Sequence, residues 1–241
     1  MKRNFINYRK NGKKGGNFWD NEYKKEGFLA ISDDPSEDMI KFTNWLKREY
    51  GYSHLNATMS VLDLGCGNGR NLLYLAKTFG SRGVGYDISS EAVKQARKKS
   101  EGWQLTYEAR SIAQPLSVGN QSQMIVMDMM TSHFLKADER RNLIEEIDRV
   151  LRPNGFFFFK TFLLDEDENA KRLLKESPAE EKGSYIHPHI GVAEHVSTED
   201  EIIDLLSPHF FIHKILKSHR HKSKGQAFKR RSVCIYAQKK D

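Results

Sequence analysis

The sequence predicts an α/β fold, a doubly wound sheet of mostly parallel strands with helices on both faces. Three observations carry this. From Met59 onward, short apolar runs alternate with stretches of helical periodicity, the pattern of a parallel sheet and its crossovers. The first run ends in a glycine-rich turn, Gly65, Cys66, Gly67, Asn68, Gly69, Arg70, that opens a helix. The run Phe156–Phe159, just after Pro153, Asn154 and Gly155, is apolar at every position, as in a strand buried on both sides.

Taken in order, the chain begins with 27 residues rich in Lys, Asn and Gly and without sustained periodicity, so segment 1–30 reads as basic and mobile until something docks it. Phe18, Trp19 and Tyr23 stand out within it. Asp34, Pro35, Ser36 and Glu37 signal a helix start, and Met39, Ile40, Phe42, Trp45 and Leu46 recur at helical spacing up to Gly51. Strands are predicted over 59–64, 82–87, 103–109, 122–128 and 155–162, with helices near 69–79, 89–100 and 137–151. A polar stretch at 163–196, with one helix at 165–176, is too long for an ordinary connection and reads as a cover over the site or an insertion. A helix at 198–207, with Glu201 in capping-box position, and strands at 209–217 and 231–238 complete seven strands. Residues 31–241 are thus expected to form a single domain.

Charge is unevenly spread. Residues 205–241 hold ten Lys or Arg and one acid, and residues 1–16 hold six and none, so the middle is acidic although the chain carries +7 overall. Two basic ends suit a phosphate-rich partner if they lie together in the fold, whereas solvated tails are the plainer reading. No stretch nears the roughly 20 apolar residues that span a bilayer, and a cytoplasmic location is the expectation. Cys66 and Cys234 lack metal-ligand spacing and disulfide density.

The glycine-rich turn predicts a ligand. Backbone N–H groups at a helix N-terminus can approach it closely where no Cβ intervenes. Asp87, eighteen residues beyond Gly69 at the end of the second strand, can accept hydrogen bonds from both hydroxyls of a ribose. The dinucleotide fingerprint, however, requires glycine where Arg70 stands. Asp63, two residues before Gly65, adds negative charge that a pyrophosphate would not favour. A sulfonium ligand bearing an ammonium group matches better.

These residues resemble the class I S-adenosylmethionine-dependent methyltransferases. Val61–Arg70 is similar to the first motif of that family, and the stretch Val84–Ser89 to the second. The resemblance implies a Rossmann-like seven-stranded sheet with an antiparallel last strand, and S-adenosylmethionine as cofactor, leaving as S-adenosylhomocysteine. It implies that backbone around Gly65, Gly67 and Asn68 faces the methionine part, and that Asp87 holds the ribose and Ile88 the adenine. Where the family carries an acid and an apolar residue after its third strand, this chain offers Ser111 and Ile112. Asp128 matches the tip of the fourth strand, and Arg149–Phe159 the passage into the fifth. Trp19 and Tyr23 are placed to close over the cofactor, as aromatic residues of the N-terminal segment do in the family, or to pack the leading helix.

The acceptor is less legible, because methyl transfer needs positioning and desolvation more than a dedicated base. The Asn/Asp-Pro-Pro-aromatic motif that cradles base amines is absent after the fourth strand, and neither cysteine resembles a cytosine C5 nucleophile. Asp128 and Lys160 resemble two members of the Lys-Asp-Lys-Glu set of ribose 2′-O-methyltransferases, but Arg231, Ser232 and Val233 stand where the final Glu belongs. Tyr185, His187, His189, Glu194 and His195 fall within eleven residues of the cover segment. Glu194 or His195 there, and His133 after Asp128, are candidates to orient or deprotonate an acceptor. The loop His219–Arg231, with Lys222, Lys224 and Arg230, could neutralise phosphates. The expectation is therefore a methyltransferase acting on a small molecule or RNA, with a nonenzymatic binding module as the alternative.

Overall fold

The computed structural model describes residues 12–24, 32–188, 190–218, 222–223, 226–227 and 230–240. Its elements in chain order are α1 (Gly12–Lys24), α2 (Glu37–Tyr50), β1 (Ser60–Leu64), α3 (Arg70–Phe79), β2 (Arg82–Asp87), α4 (Ser90–Lys99), β3 (Leu105–Ala109) and β4 (Gln123–Met129). After a 3-10 turn (Ser132–Phe134) come α5 (Ala137–Val150), β5 (Leu151–Phe162), α6 (Glu168–Glu176), β6 (Ser184–Ile186), β7 (Ala193–His195), α7 (Glu199–Leu206), β8 (Phe210–Lys217), β9 (Lys222–Ser223), β10 (Gln226–Ala227) and β11 (Ser232–Lys239).

Seven strands form one sheet in the order β3-β2-β1-β4-β5-β11-β8. The pairs from β3 to β5 are parallel, and β11 runs antiparallel to both β5 and β8. The antiparallel strand is therefore the last in sequence but lies inside the sheet, inserted before β8. Parallel strands need crossovers, and the helices α3, α4 and α5 supply them.

Side-chain alternation divides the core. Val61, Ile125, Met127, Phe156, Phe158 and Tyr236 face α2, α3 and α4. Leu62, Val126, Phe157, Phe159, Val233 and Ile235 face α5 and α7. The phenylalanine run thus serves both faces in turn. On α2, Phe42 stacks on Phe158 at 4.8 Å and meets Tyr236 edge-on at 4.9 Å, which fixes that helix beneath the middle of the sheet.

Two segments depart from expectation. β5 begins at Leu151 rather than near Gly155. Asn154 takes a left-handed φ of 62° and the register against β4 slips between Gln123 and Ile125, so turn-forming residues lie inside an irregular strand. The 163–196 segment contains α6 and also a small antiparallel hairpin, Ser184 opposite His195 and Ile186 opposite Ala193. The N-terminal segment, expected to be mobile until docked, provides α1. Asp20 on that helix accepts hydrogen bonds from Ser89 Oγ at 2.7 Å and the Glu91 N–H at 3.0 Å, and Gln95 Nε2 donates to the Tyr23 carbonyl at 2.7 Å. An acid from α1 thereby caps the N-terminus of α4.

Candidate active site

The glycine turn sits at the C-terminal ends of β1 and β2, where open α/β sheets bind ligands. Its glycines are obligatory here. Gly65 and Gly67 have φ of 81° and 55°, and a Cβ on Gly65 would stand 2.0 Å from Thr131 Oγ1. The Gly65 and Cys66 N–H groups donate to the Tyr86 carbonyl at 2.7 and 2.9 Å, locking the turn to β2. Asn68 is buried and its Nδ2 reaches the Ser32 carbonyl and Asp33 Oδ1, while Arg70 Nη1 also approaches Ser32. Gly69 packs against the Tyr107 hydroxyl.

Three acids converge. Asp87 accepts from the Gly67 N–H at 2.9 Å through Oδ2 and from the Ser89 N–H at 2.8 Å through Oδ1. Asp128 accepts from the N–H groups of Thr131 and Ser132 at 3.1 and 3.2 Å. Asp63 is 2% exposed and its Oδ2 has no hydrogen-bond partner. Burial, followed by the fields of Asp87 and Asp128, pushes the Asp63 carboxyl up to about 8, against a small pull from Arg70. Burial raises Asp128 to about 6, although its hydrogen bonds with Ser132 and Thr131 resist. Asp87 is likewise raised by burial. The chain gathers more negative charge here than it neutralises.

The remaining cofactor candidates surround these acids. Ile88 follows Asp87, Ile112 is buried beside Tyr86, and Ser111 is half-buried with its Oγ accepting from the Ala113 N–H at 3.2 Å. Burial pushes the Cys66 thiol far above its ordinary range, which makes it a packing group. Tyr23 from α1 comes over the turn, and a Cβ on Gly67 would lie 2.6 Å from its hydroxyl. Trp19 meets Phe134 edge-on at 5.3 Å. The two aromatics thus bridge α1 to both the cofactor turn and the loop after β4.

Beyond the tip of β4, the candidate base His133 is buried in the 3-10 turn, 4.1 Å from Phe134 and 5.0 Å from Phe162 ring to ring, and its Nδ1 has no partner. Burial, with Arg230, His195 and Arg140 adding to it, holds this ring neutral. His195 Nδ1 lies 3.0 Å from Ser184 Oγ and 3.2 Å from Glu181, and burial depresses it too. Both histidines line a cavity of about 20 Å³ with Ser132, Arg140, Thr161 and Ser197, room for one water. Glu194 accepts from the Tyr185 hydroxyl at 2.5 Å and pairs with Arg230, and burial pushes it up to about 7. Lys160 is drawn elsewhere, ion-paired at 2.5 Å with Asp38 on α2.

The sequence grouped Arg230 with Lys222 and Lys224 as a cation of the last loop able to neutralise phosphates. The structure buries it, with Cζ 3.3 Å from the centroid of the Phe162 ring and 5.0 Å from that of Tyr185. A run of cations gives no signal that one of them points inward. Lys224, His189 and the other cations of 219–229 apart from Lys222 lie outside the described residues. Lys222 pairs with Ala227 in the β9–β10 ladder.

Residues 61–155 match a family model described as a methyltransferase domain. A solved SAM-dependent methyltransferase from Methanosarcina mazei superposes with a TM-score of 0.64 at 26% identity, covering 78% of this chain and 95% of that one. The carboxy-S-adenosyl-L-methionine synthase of Aliivibrio fischeri is 28% identical over 57% of each chain. The tRNA (carboxymethyluridine(34)-5-O)-methyltransferase of Arabidopsis thaliana is 27% identical over 65% of this chain and 36% of its own length. The chain spans about half the length of the curated relatives it matches. With the sheet order and the glycine turn, these matches show that residues 61–155 are similar to a methyltransferase domain and support the class I S-adenosylmethionine-dependent fold.

Proposed function

We propose that this chain holds S-adenosylmethionine across the tips of β1 and β2 and methylates an acceptor entering above β4 and β5. One observation carries the reading, the buried Asp63 oxygen without a partner among three crowded acids. A ligand with one ammonium and one sulfonium supplies the charge this cluster lacks, whereas a pyrophosphate would worsen it.

The cofactor brings a methyl group on a positively charged sulfur. The chain's own residues do the rest. Asp63 takes the ammonium, and the turn from Gly65 to Asn68 lines the methionine part without side chains in the way. Asp87 keeps lone pairs for the ribose hydroxyls beyond its bonds with Gly67 and Ser89. Ile88, Ile112 and Ser111 border the adenine, and Trp19 and Tyr23 exclude water from above. His133 is the leading base. Its ring is neutral and its Nδ1 unengaged, so it can accept a proton from the acceptor. His195 and Glu194 position the floor around it. Lys160 is committed to Asp38, which removes the main support for a ribose 2′-O reading.

Calorimetric titration tests the cofactor claim: S-adenosylmethionine and S-adenosylhomocysteine should bind in the micromolar range and lose most of that affinity in Asp87→Ala. Absence of binding to the unaltered chain would overturn it. Tritiated-methyl labelling of an extract divided into RNA, protein and small-molecule fractions then identifies the acceptor class.

A further inference from the structure

Arg230 emerges from the last loop just before β11, whose first residue, Ser232, pairs with Phe162 at the end of β5. It therefore lies on the ligand edge of the sheet. Its side chain is 10% exposed and rests between the rings of Phe162 and Tyr185. Nη1 is engaged by Glu194. Nε and Nη2, both buried, have no partner.

Those two donors are neighbours. In a guanidinium, Nε–H and the Nη2–H beside it point the same way and form one edge of the fork that grips the two oxygens of a carboxylate. Among the described residues, no other buried side chain leaves two adjacent donors unengaged. Arg140, the other arginine of the cluster, is committed to Glu181 and the Leu135 carbonyl. Arg231 is committed through both Nη atoms. A buried donor without a partner costs about 1–3 kcal/mol, so a charged group with two on one edge marks a place meant for a ligand.

The ligand's chemistry follows from the surroundings. Glu194 and Glu181 stand within the cluster, which disfavours a doubly charged phosphate. The planar guanidinium itself fills the space between the two aromatic rings, which holds it in one orientation. His133, with its unengaged Nδ1, lies against the same Phe162 ring. We propose that the Nε–Nη2 edge of Arg230 binds the carboxylate of the methyl acceptor, making that acceptor a carboxylate-bearing small molecule rather than a polynucleotide. This rests on the methyltransferase reading above and gives its acceptor a handle beside the candidate base.

The test uses the full chain saturated with S-adenosylhomocysteine, with acetate as the probe, acetamide as its neutral counterpart and dimethyl phosphate as a phosphodiester. The Arg230 Nε–H resonance, assigned by its loss in Arg230→Lys, should shift saturably with acetate, with a midpoint on the order of 10 mM for so small a ligand, and not with acetamide. Arg230→Lys should weaken acetate binding at least about tenfold, since an ammonium has no such edge. Glu194→Gln, which removes a competing charge, should tighten it severalfold, a gain that a purely structural arginine would not produce. No shift with acetate, tighter binding of dimethyl phosphate, or displacement of S-adenosylhomocysteine by acetate would each overturn the proposal. Failure of S-adenosylhomocysteine to bind at all would instead overturn the underlying reading.

Discussion

Replacing Asp63 by Asn removes one acid from the crowded cluster and leaves its shape nearly intact. In the folded chain the Asp63 carboxyl titrates at about 8, against an ordinary value of 3.8. Between those values the folded state holds a proton that the unfolded chain has released. Stability must therefore fall as pH rises through that window, by about 1.4 kcal/mol per pH unit from this group. At pH 7 the deficit relative to a neutral side chain is about 4 kcal/mol. The ligand-free Asp63→Asn variant is accordingly expected to be more stable than the parent at neutral pH. Its stability should lose that slope while its affinity for S-adenosylmethionine falls sharply. Urea unfolding of both proteins at intervals from pH 5 to 8 measures this directly. Parallel pH profiles, or a variant no more stable at pH 7 than at pH 5 relative to the parent, would refute the argument. Cofactor binding below pH 8 should also release a proton, seen as a dependence of the calorimetric heat on the buffer's ionisation enthalpy.

Other expectations follow from the same contacts. Gly65→Ala meets both a left-handed φ and Thr131, so its melting temperature should drop and cofactor binding disappear, and shrinking Thr131 to Gly in the same chain should restore only part of either. Asp20→Ala removes the cap that α1 places on α4, costing about 1 kcal/mol and speeding proteolysis around Lys24. Lys160→Met removes the main partner of the Asp38 carboxylate, whose pKa is held low by hydrogen bonding and charge from Lys160 in spite of burial, and leaves it only the weaker pair with Lys41; it should destabilise the fold by about 1–3 kcal/mol while S-adenosylhomocysteine still binds with parental affinity.

Most of the fold could be read because its signals are periodic and local. The strand before Gly65 and the one ending at Asp87 are short apolar runs bounded by glycine or a polar turn, and the phenylalanine run declares its own burial. The β6–β7 hairpin could not be read this way, since three-residue strands such as Ser184–Ile186 and Ala193–His195 are too short to show alternation. Pro153, Asn154 and Gly155 keep their turn character, Asn154 with φ of 62°, but they sit in an irregularity between Leu151 and Phe156, both of which pair with β4, so the strand extends past them. The glycine turn and the crowding of Asp63, Asp87 and Asp128 beside it could be read because one contiguous turn and two strand tips build them. The proposed acceptor side gathers His133, Phe162, Tyr185, Glu194 and Arg230 from four separate segments. Nothing in the neighbours of any one of them reports that the others lie beside it.

Thr131 Oγ1 occupies the space that any side chain at position 65 would need, and two residues later comes His133. The glycine turn and the turn after β4, proposed to receive the cofactor and to face the acceptor, are meshed like adjacent teeth, so neither can shift without the other responding. Loading one partner therefore presets the seat of the second, and a substitution that loosens the mesh should be felt in initial-rate kinetics as a change in how saturation by one substrate alters the apparent affinity for the other.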